Sequence, residues 1–141
     1  MPVAKNSTEL IPALSAPLDK KQASALSPMA LAFIGDGVHS LLVRSLCTVG
    51  SNKKTGELHR EVTSQVCAKN QSAMSQRLLG ALTDEEKDIF RRARNSKILT
   101  SAKHAEIAEY RKASGFEAVL GFLYLTGRTQ RIADLLELCR D

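Results

Sequence analysis

The chain has 141 residues, 43% of them hydrophobic and only 4% aromatic, with a formal net charge of +5; this fits one soluble globular domain with a sizeable core. The longest apolar run, Ala118 to Leu125, is too short to cross a bilayer, and the N-terminus lacks a signal-peptide core, which argues against export. Three cysteines without metal-type spacing (Cys47, Cys67, Cys139) do not suggest a disulfide framework, so a reduced cytoplasm is the expected compartment.

Residues 1–22 carry Pro2, Pro12 and Pro17 with weak periodicity. They read as a flexible leader, with the domain (23–141) beginning within the Leu18–Ala25 stretch. Ser27-Pro28 then predicts an N-cap and first helical position. The helix should run to a cap at Gly50. Met29, Leu31, Phe33, Ile34, Val38, Leu41, Leu42 and Val43 cover more than one stripe of it, so burial on most sides is expected. Asp36 lies in the middle between Gly35 and Gly37. Each interior glycine costs roughly 1 kcal/mol relative to alanine, and an unpaired buried carboxylate costs more. Two readings stand side by side: a capped or salt-bridged core aspartate, or a metal-binding carboxylate where backbone or ligand approaches closely.

A second helix is predicted from Thr55-Gly-Glu-Leu, with Leu58, Val62, Val66 and Ala73 as its apolar stripe. His59, Arg60, Lys69, Asn70 and Gln71 then face elsewhere; His59 could meet a phosphate or base edge, although a lone surface histidine usually has no special role. Thr83-Asp-Glu-Glu86 is a capping box, and the helix it opens runs into Phe90-Arg-Arg-Ala-Arg-Asn-Ser-Lys97. From Lys87 to Lys112 eight basic residues face three acidic ones, so the rest of the chain is neutral overall. Such concentrated basicity suggests a polyanionic partner, though basic faces are often only solvated surface. Arginine's planar fork suits phosphates. The absence of interleaved aromatics favours a duplex backbone over stacked single strands.

Ser101 to Ser114 predicts a helix ending at Gly115. Gly115-Phe-Glu-Ala-Val-Leu-Gly-Phe-Leu-Tyr-Leu125 follows, apolar on nearly every face except Glu117. Arg128 to Leu138 is a last amphipathic helix packing through Ile132, Leu135, Leu136 and Leu138. The spacing throughout is helical, so the fold class is all-α. A second acid in an apolar helix changes the weight of the first. Two neighbouring carboxylates repel unless one is protonated or a cation is shared, and magnesium accepts one or two carboxylates with waters and phosphate.

The residues resemble a known family. Phe33-Ile-Gly-Asp-Gly is similar to the signature of the ribonuclease III endonuclease domain, and Phe116-Glu-Ala-Val-Leu-Gly-Phe-Leu-Tyr-Leu to its second catalytic helix. Leu58-His, Val66-Cys-Ala-Lys-Asn-Gln71, Arg91-Arg-Ala-Arg-Asn-Ser-Lys97 and Tyr110-Arg-Lys-Ala-Ser-Gly-Phe-Glu117 resemble the Mini-ribonuclease III subfamily, which consists of the catalytic domain alone. The resemblance covers about Leu26 to Leu136. It implies a helical bundle, a homodimer, and cleavage of double-stranded RNA with Mg2+ (Mn2+ as substitute) to 5'-phosphate and 3'-hydroxyl ends. It also implies maturation of the large-subunit (23S) ribosomal RNA precursor, and it leaves a ribosomal protein open as a further partner.

By position the resemblance makes Asp36 and Glu117 the catalytic metal ligands. It makes Arg91, Arg92, Arg94, Asn95, Lys97, His59, Lys69 and Gln71 the RNA-binding residues, and Phe33 the dimer contact. Met29, Ala32 and Ser114 stand where full-length ribonuclease III carries further acids; the latter two losses match the subfamily and lower the expected metal affinity. Ala93 replaces the subfamily's usual glycine. With no double-stranded-RNA-binding domain after Asp141, the catalytic domain is expected to hold substrate itself. The competing reading is a non-catalytic RNA-binding module of the same fold acting in ribosome assembly. A helical protein-interaction domain would leave both the acids and the arginines unexplained.

Overall fold

The computed structural model describes residues 17–49, 54, 56–57, 79–96 and 104–139. Among them are five α-helices: α1 (Lys20–Ser24), α2 (Pro28–Thr48), α3 (Asp84–Arg94), α4 (His104–Leu125) and α5 (Thr129–Cys139), with a 3-10 turn at Leu79–Ala81 before α3. No strand occurs among the described residues. The all-α expectation holds. No helix among the described residues is long and apolar enough to cross a membrane.

Local chemistry sets the helix starts. Ser27 Oγ accepts from the Ala30 amide at 3.0 Å and Pro28 takes the first turn of α2. The Thr83–Glu86 capping box forms as its spacing predicts, with Thr83 N donating to Glu86 Oε1 at 3.0 Å and Glu86 N donating to Thr83 Oγ1 at 3.2 Å. Asp19 and Gln22 make a second capping box at α1, and Leu18 N donates to Leu125 O at 2.8 Å. The α4–α5 corner closes where Arg128 N reaches Leu123 O and Gly127 N reaches Tyr124 O, with Gly127 at φ 75°. Those paired bonds satisfy the last carbonyls of α4, and only glycine adopts that φ cheaply.

Helix α4 is the hub. Ala113 to Leu123 are all buried except Glu117, which is half-buried, and α2 and α3 make the largest packing interfaces on it. Gly115 does not end a helix. It lies inside α4, where an added Cβ would come within 2.7 Å of the Phe90 ring. Its small size is used for packing by α3, and α4 continues unbroken through the predicted boundary. Helix α2 also differs from expectation: Phe33 is 80% and Leu41 64% exposed, so one long face of it is open. In α5, Ile132 and Leu135 are buried as expected, whereas Leu138 is exposed.

The α2–α4 crossing is a backbone contact. A Cβ on Gly35 would stand 1.6 Å from Glu117 O, and a Cβ on Gly121 would stand 2.0 Å from Leu31 O. The pairing Leu31 with Gly121 and Gly35 with Glu117 makes the helices antiparallel. Overpacked cores lose about 1–3 kcal/mol for added methylenes that neighbours can partly accommodate, and here the obstacle is rigid main chain. Gly35→Ala and Gly121→Ala should therefore each lower stability by about 3 kcal/mol or prevent folding. Urea unfolding checks this; a wild-type midpoint for either variant would refute the crossing.

Candidate active site

The crossing places the backbone of Glu117 against that of Gly35, the residue before Asp36. Asp36 is exposed and Glu117 half-buried, which corrects the expectation that both acids are buried. Residues 33, 37 and 41 share an open face of α2, and Asp36 lies at its edge. Asp36 makes no hydrogen bond or ion pair among the described residues, and the charge it exerts is felt by His39.

Do these groups suit a divalent cation? No cluster of three or more metal-type side chains occurs among the described residues. The set offered is two hard carboxylates, one of them open to solvent. That matches magnesium or manganese, which take one or two carboxylates and fill the remaining positions with water and phosphate. It does not match zinc, which takes three or four protein ligands, mostly histidine and cysteine. The chemistry of the pair suits a hard divalent ion.

His39 was missed by sequence reading. It has 0% exposure, and its ring meets Phe116 edge-on, with centroids 5.5 Å apart and planes at 83°. Burial pushes its imidazole below the ordinary 6.5, with Asp36 partly opposing, so the ring is neutral at physiological pH. The signal was present. Leu31, Gly35, His39, Val43 and Cys47 recur at four-residue intervals, and the structure buries all five.

The arginines stand on helix α3, not in an exposed loop. Ala93, in the glycine's place, is 1% exposed and inside the helix. Arg92 is half-buried and Nη1 donates to Ser24 O at 3.4 Å, tying α3 to α1. Arg91 is exposed and paired with Asp88 one turn back. Arg94 is exposed, and its Nε lies 3.5 Å from the Oδ1 of Asn95, also exposed. Of the other predicted RNA contacts, Lys97, His59, Lys69 and Gln71 lie outside the described residues. Phe33 is fully presented to solvent.

Helix α3 is anchored at its other end. Glu86 is 1% exposed and takes Arg131 in a bidentate pair, Nε to Oε2 at 2.9 Å and Nη2 to Oε1 at 2.8 Å. Desolvation pushes its carboxyl up, but hydrogen bonds from Arg131 and Thr83 outweigh it, and the net shift is below the usual 4.5. This pair stabilises fully above about pH 4.5 and fades as pH falls through the lowered value.

An all-helical domain built on this crossing is of the ribonuclease III class. Residues 29–128 match the Ribonuclease III domain, and the chain belongs to that family. Within the family its relatives carry the name Mini-ribonuclease 3. A Thermoanaerobacter protein of that name is 46% identical over 121 residues, covering 86% of this chain and 85% of its own. One from Synechocystis is 42% identical, covering 86% and 83%. A crystal structure of a Fusobacterium nucleatum protein superposes with TM-score 0.73 at 29% identity, covering 79% of this chain and 91% of that one. The chain is thus an endoribonuclease for double-stranded RNA from a family that works with a divalent metal.

Different arginines should fail differently. Arg94→Ala should weaken duplex RNA binding and flatten its salt dependence by about one unit of log–log slope, with unchanged melting. Arg92→Ala should lower the melting temperature, since it removes a half-buried side chain and its bond to α1. Filter binding across a salt series, with calorimetric melting of both variants, separates the two roles.

Proposed function

We propose that Asp36 and Glu117 hold the divalent cation, Mg2+ with Mn2+ as substitute, and that the chain uses it to hydrolyse duplex RNA to 5'-phosphate and 3'-hydroxyl ends. The observation that carries this is the Gly35–Glu117 backbone contact, which keeps both acids at one crossing. A bound cation supplies Lewis-acid stabilisation of the phosphate and lowers the pKa of an attacking water. The protein's own residues do the rest. Asp36, open to solvent, admits the phosphate, while half-buried Glu117 on the rigid hub helix fixes the site's position. Arg91, Arg94 and Asn95 present donors along one end of α3, where phosphates of a duplex read by shape need them. Lys97, His59, Lys69 and Gln71 belong to the same RNA-binding set by resemblance.

The substrate we assign is the 23S ribosomal RNA precursor, on the strength of the resemblance to Mini-ribonuclease III, with a ribosomal protein as a further partner and the cytoplasm as the compartment. The non-catalytic alternative is disfavoured because an RNA-binding surface gains nothing from two acids held together beside it. Glu117→Gln and Asp36→Asn should each reduce cleavage of duplex RNA in Mg2+ by at least about a thousandfold, on the scale of a barrier raised by roughly 4 kcal/mol, with binding intact. Near wild-type cutting by either variant would remove that residue from the site.

We also propose a homodimer formed through the open face of α2. Phe33 is 80% and Leu41 64% exposed, and Gly37 between them has nothing within 4 Å. A large aromatic flanking a glycine suits close approach of a second helix. An apolar groove of about 430 Å³ between α2 and α5, lined by Val38, Leu42, Tyr124, Ile132 and Leu136 among others, offers a receptive surface on the same molecule, as a two-fold contact requires. Cutting both strands of a duplex calls for two sites on antiparallel backbones. Phe33→Ala should shift light scattering toward monomer and lower cleavage together; an active wild-type monomer at assay concentration would refute the dimer.

A further inference from the structure

His39 occupies a position that packing alone does not explain. It lies in the α2 stripe facing α4, is wholly buried, and neither Nδ1 nor Nε2 has a hydrogen-bond partner among the described residues. A leucine would fill that stripe without stranding a polar atom. An unpaired buried donor or acceptor costs about 1–3 kcal/mol, and such groups in a folded protein call for a reason. The ring's surroundings supply one. Its edge contact is with Phe116, the residue before Glu117. Asp36 lies three residues earlier on the same helix, where side chains are surface neighbours, and it is the charged group whose field reaches the ring. The Asp36 carboxylate has no other engagement among the described residues. Carboxylates that hold metals are themselves commonly oriented by a second hydrogen bond.

We propose that His39 is a positioning residue for Asp36: in the metal-loaded protein a ring N–H of the neutral imidazole donates to the Asp36 carboxylate and holds it in one orientation. Both groups are available for this bond: Asp36 is exposed, and the ring nitrogens have no hydrogen-bond partner among the described residues. This rests on the reading of Asp36 as a metal-holding residue, and its test is built to fail separately from that reading.

The experiment compares His39→Phe, which keeps a ring against Phe116 but removes the donor, with His39→Gln, which restores a donor, and with Asp36→Asn. Calorimetric titration with Mn2+, in the absence of RNA, is the main readout, with thermal unfolding in a chelator and duplex cleavage beside it. His39→Phe should melt at or above the wild-type temperature without metal, yet bind Mn2+ about 10- to 100-fold more weakly. Its kcat should fall while KM for RNA is unchanged, and His39→Gln should recover part of the Mn2+ affinity. Wild-type Mn2+ affinity in His39→Phe, or equal weakening in His39→Phe and His39→Gln, overturns the proposal. Should His39→Phe not fold, His39→Leu takes its place in the same comparison. If Asp36→Asn loses Mn2+ binding while His39→Phe keeps it, only the role of His39 fails. If Asp36→Asn binds Mn2+ like the wild type, the metal-site reading fails and takes this proposal with it.

Discussion

Everything in this domain depends on how closely α2 and α4 can approach. Most helix pairs are kept 8–10 Å apart by their side chains. Here Gly35 and Gly121 remove the side chains at two successive turns, and main chain rests on main chain. Close approach has a price in helix propensity, roughly 1 kcal/mol per glycine. In return the packing of α4 against α2 is rigid, since backbone cannot swing aside as a side chain can. The residues next to the contact, Asp36 and Glu117, inherit that rigidity. If Asp36 and Glu117 hold the cation as proposed, two carboxylates have few ligands with which to organise a site, and the scaffold supplies the order.

The second organising device is electrostatic. The Glu86 carboxylate accepts three hydrogen bonds from two residues: it caps α3 through Thr83, and both of its oxygens take Arg131 from α5. A buried carboxylate with this many donors is satisfied, whereas loss of Arg131 would strand its charge. Arg131 also donates to Ala81 O at 2.8 Å, binding the turn before α3. Around it Glu85 pairs with both Lys20 and Arg128, so α1, α3 and α5 meet at one charged corner. With its start held this way and Phe90 wedged against Gly115, the far end of α3 presents Arg91 and Arg94 in a fixed place. In the proposed RNA-binding role, side chains on a pinned helix would lose less entropy on meeting a polyanion than they would on a loop.

The division of labour follows from exposure. Half-buried Arg92 and Arg131 commit their guanidinium groups to contacts within the fold, while the side chains of Arg91 and Arg94 are exposed. The same split holds for the acids, because Glu86 is committed to the fold and Asp36 is open. His39 stands between the categories: it is buried like a core residue, yet it carries polar atoms that the core does not satisfy.

Much of this was legible in the sequence because it is set locally. The Ser27-Pro28 start, the Thr83–Glu86 capping box and the 3.6-residue periodicity depend on residues a few positions apart, and these determine the all-α class and most helix bounds. Asp36 and Glu117 stood out because each interrupts an apolar run, and family motifs around them are contiguous in the chain. What the sequence could not decide is which neighbour each residue meets. Gly115 has the look of a helix end until Phe90, distant in sequence, is seen to need the space. Arg92 and Arg94 are alike in sequence, and only the arrival of α1 at Ser24 makes one structural. Phe33 and Leu41 belong to an apolar pattern that reads as core, yet the tertiary structure turns them outward because α4 covers only one side of α2. His39 went unnoticed for the same reason, since burial is a property of the packed pair of helices. The physical cause is common to all of these: hydrogen-bond caps and periodicity act within a turn or two, whereas packing partners are chosen by the whole chain.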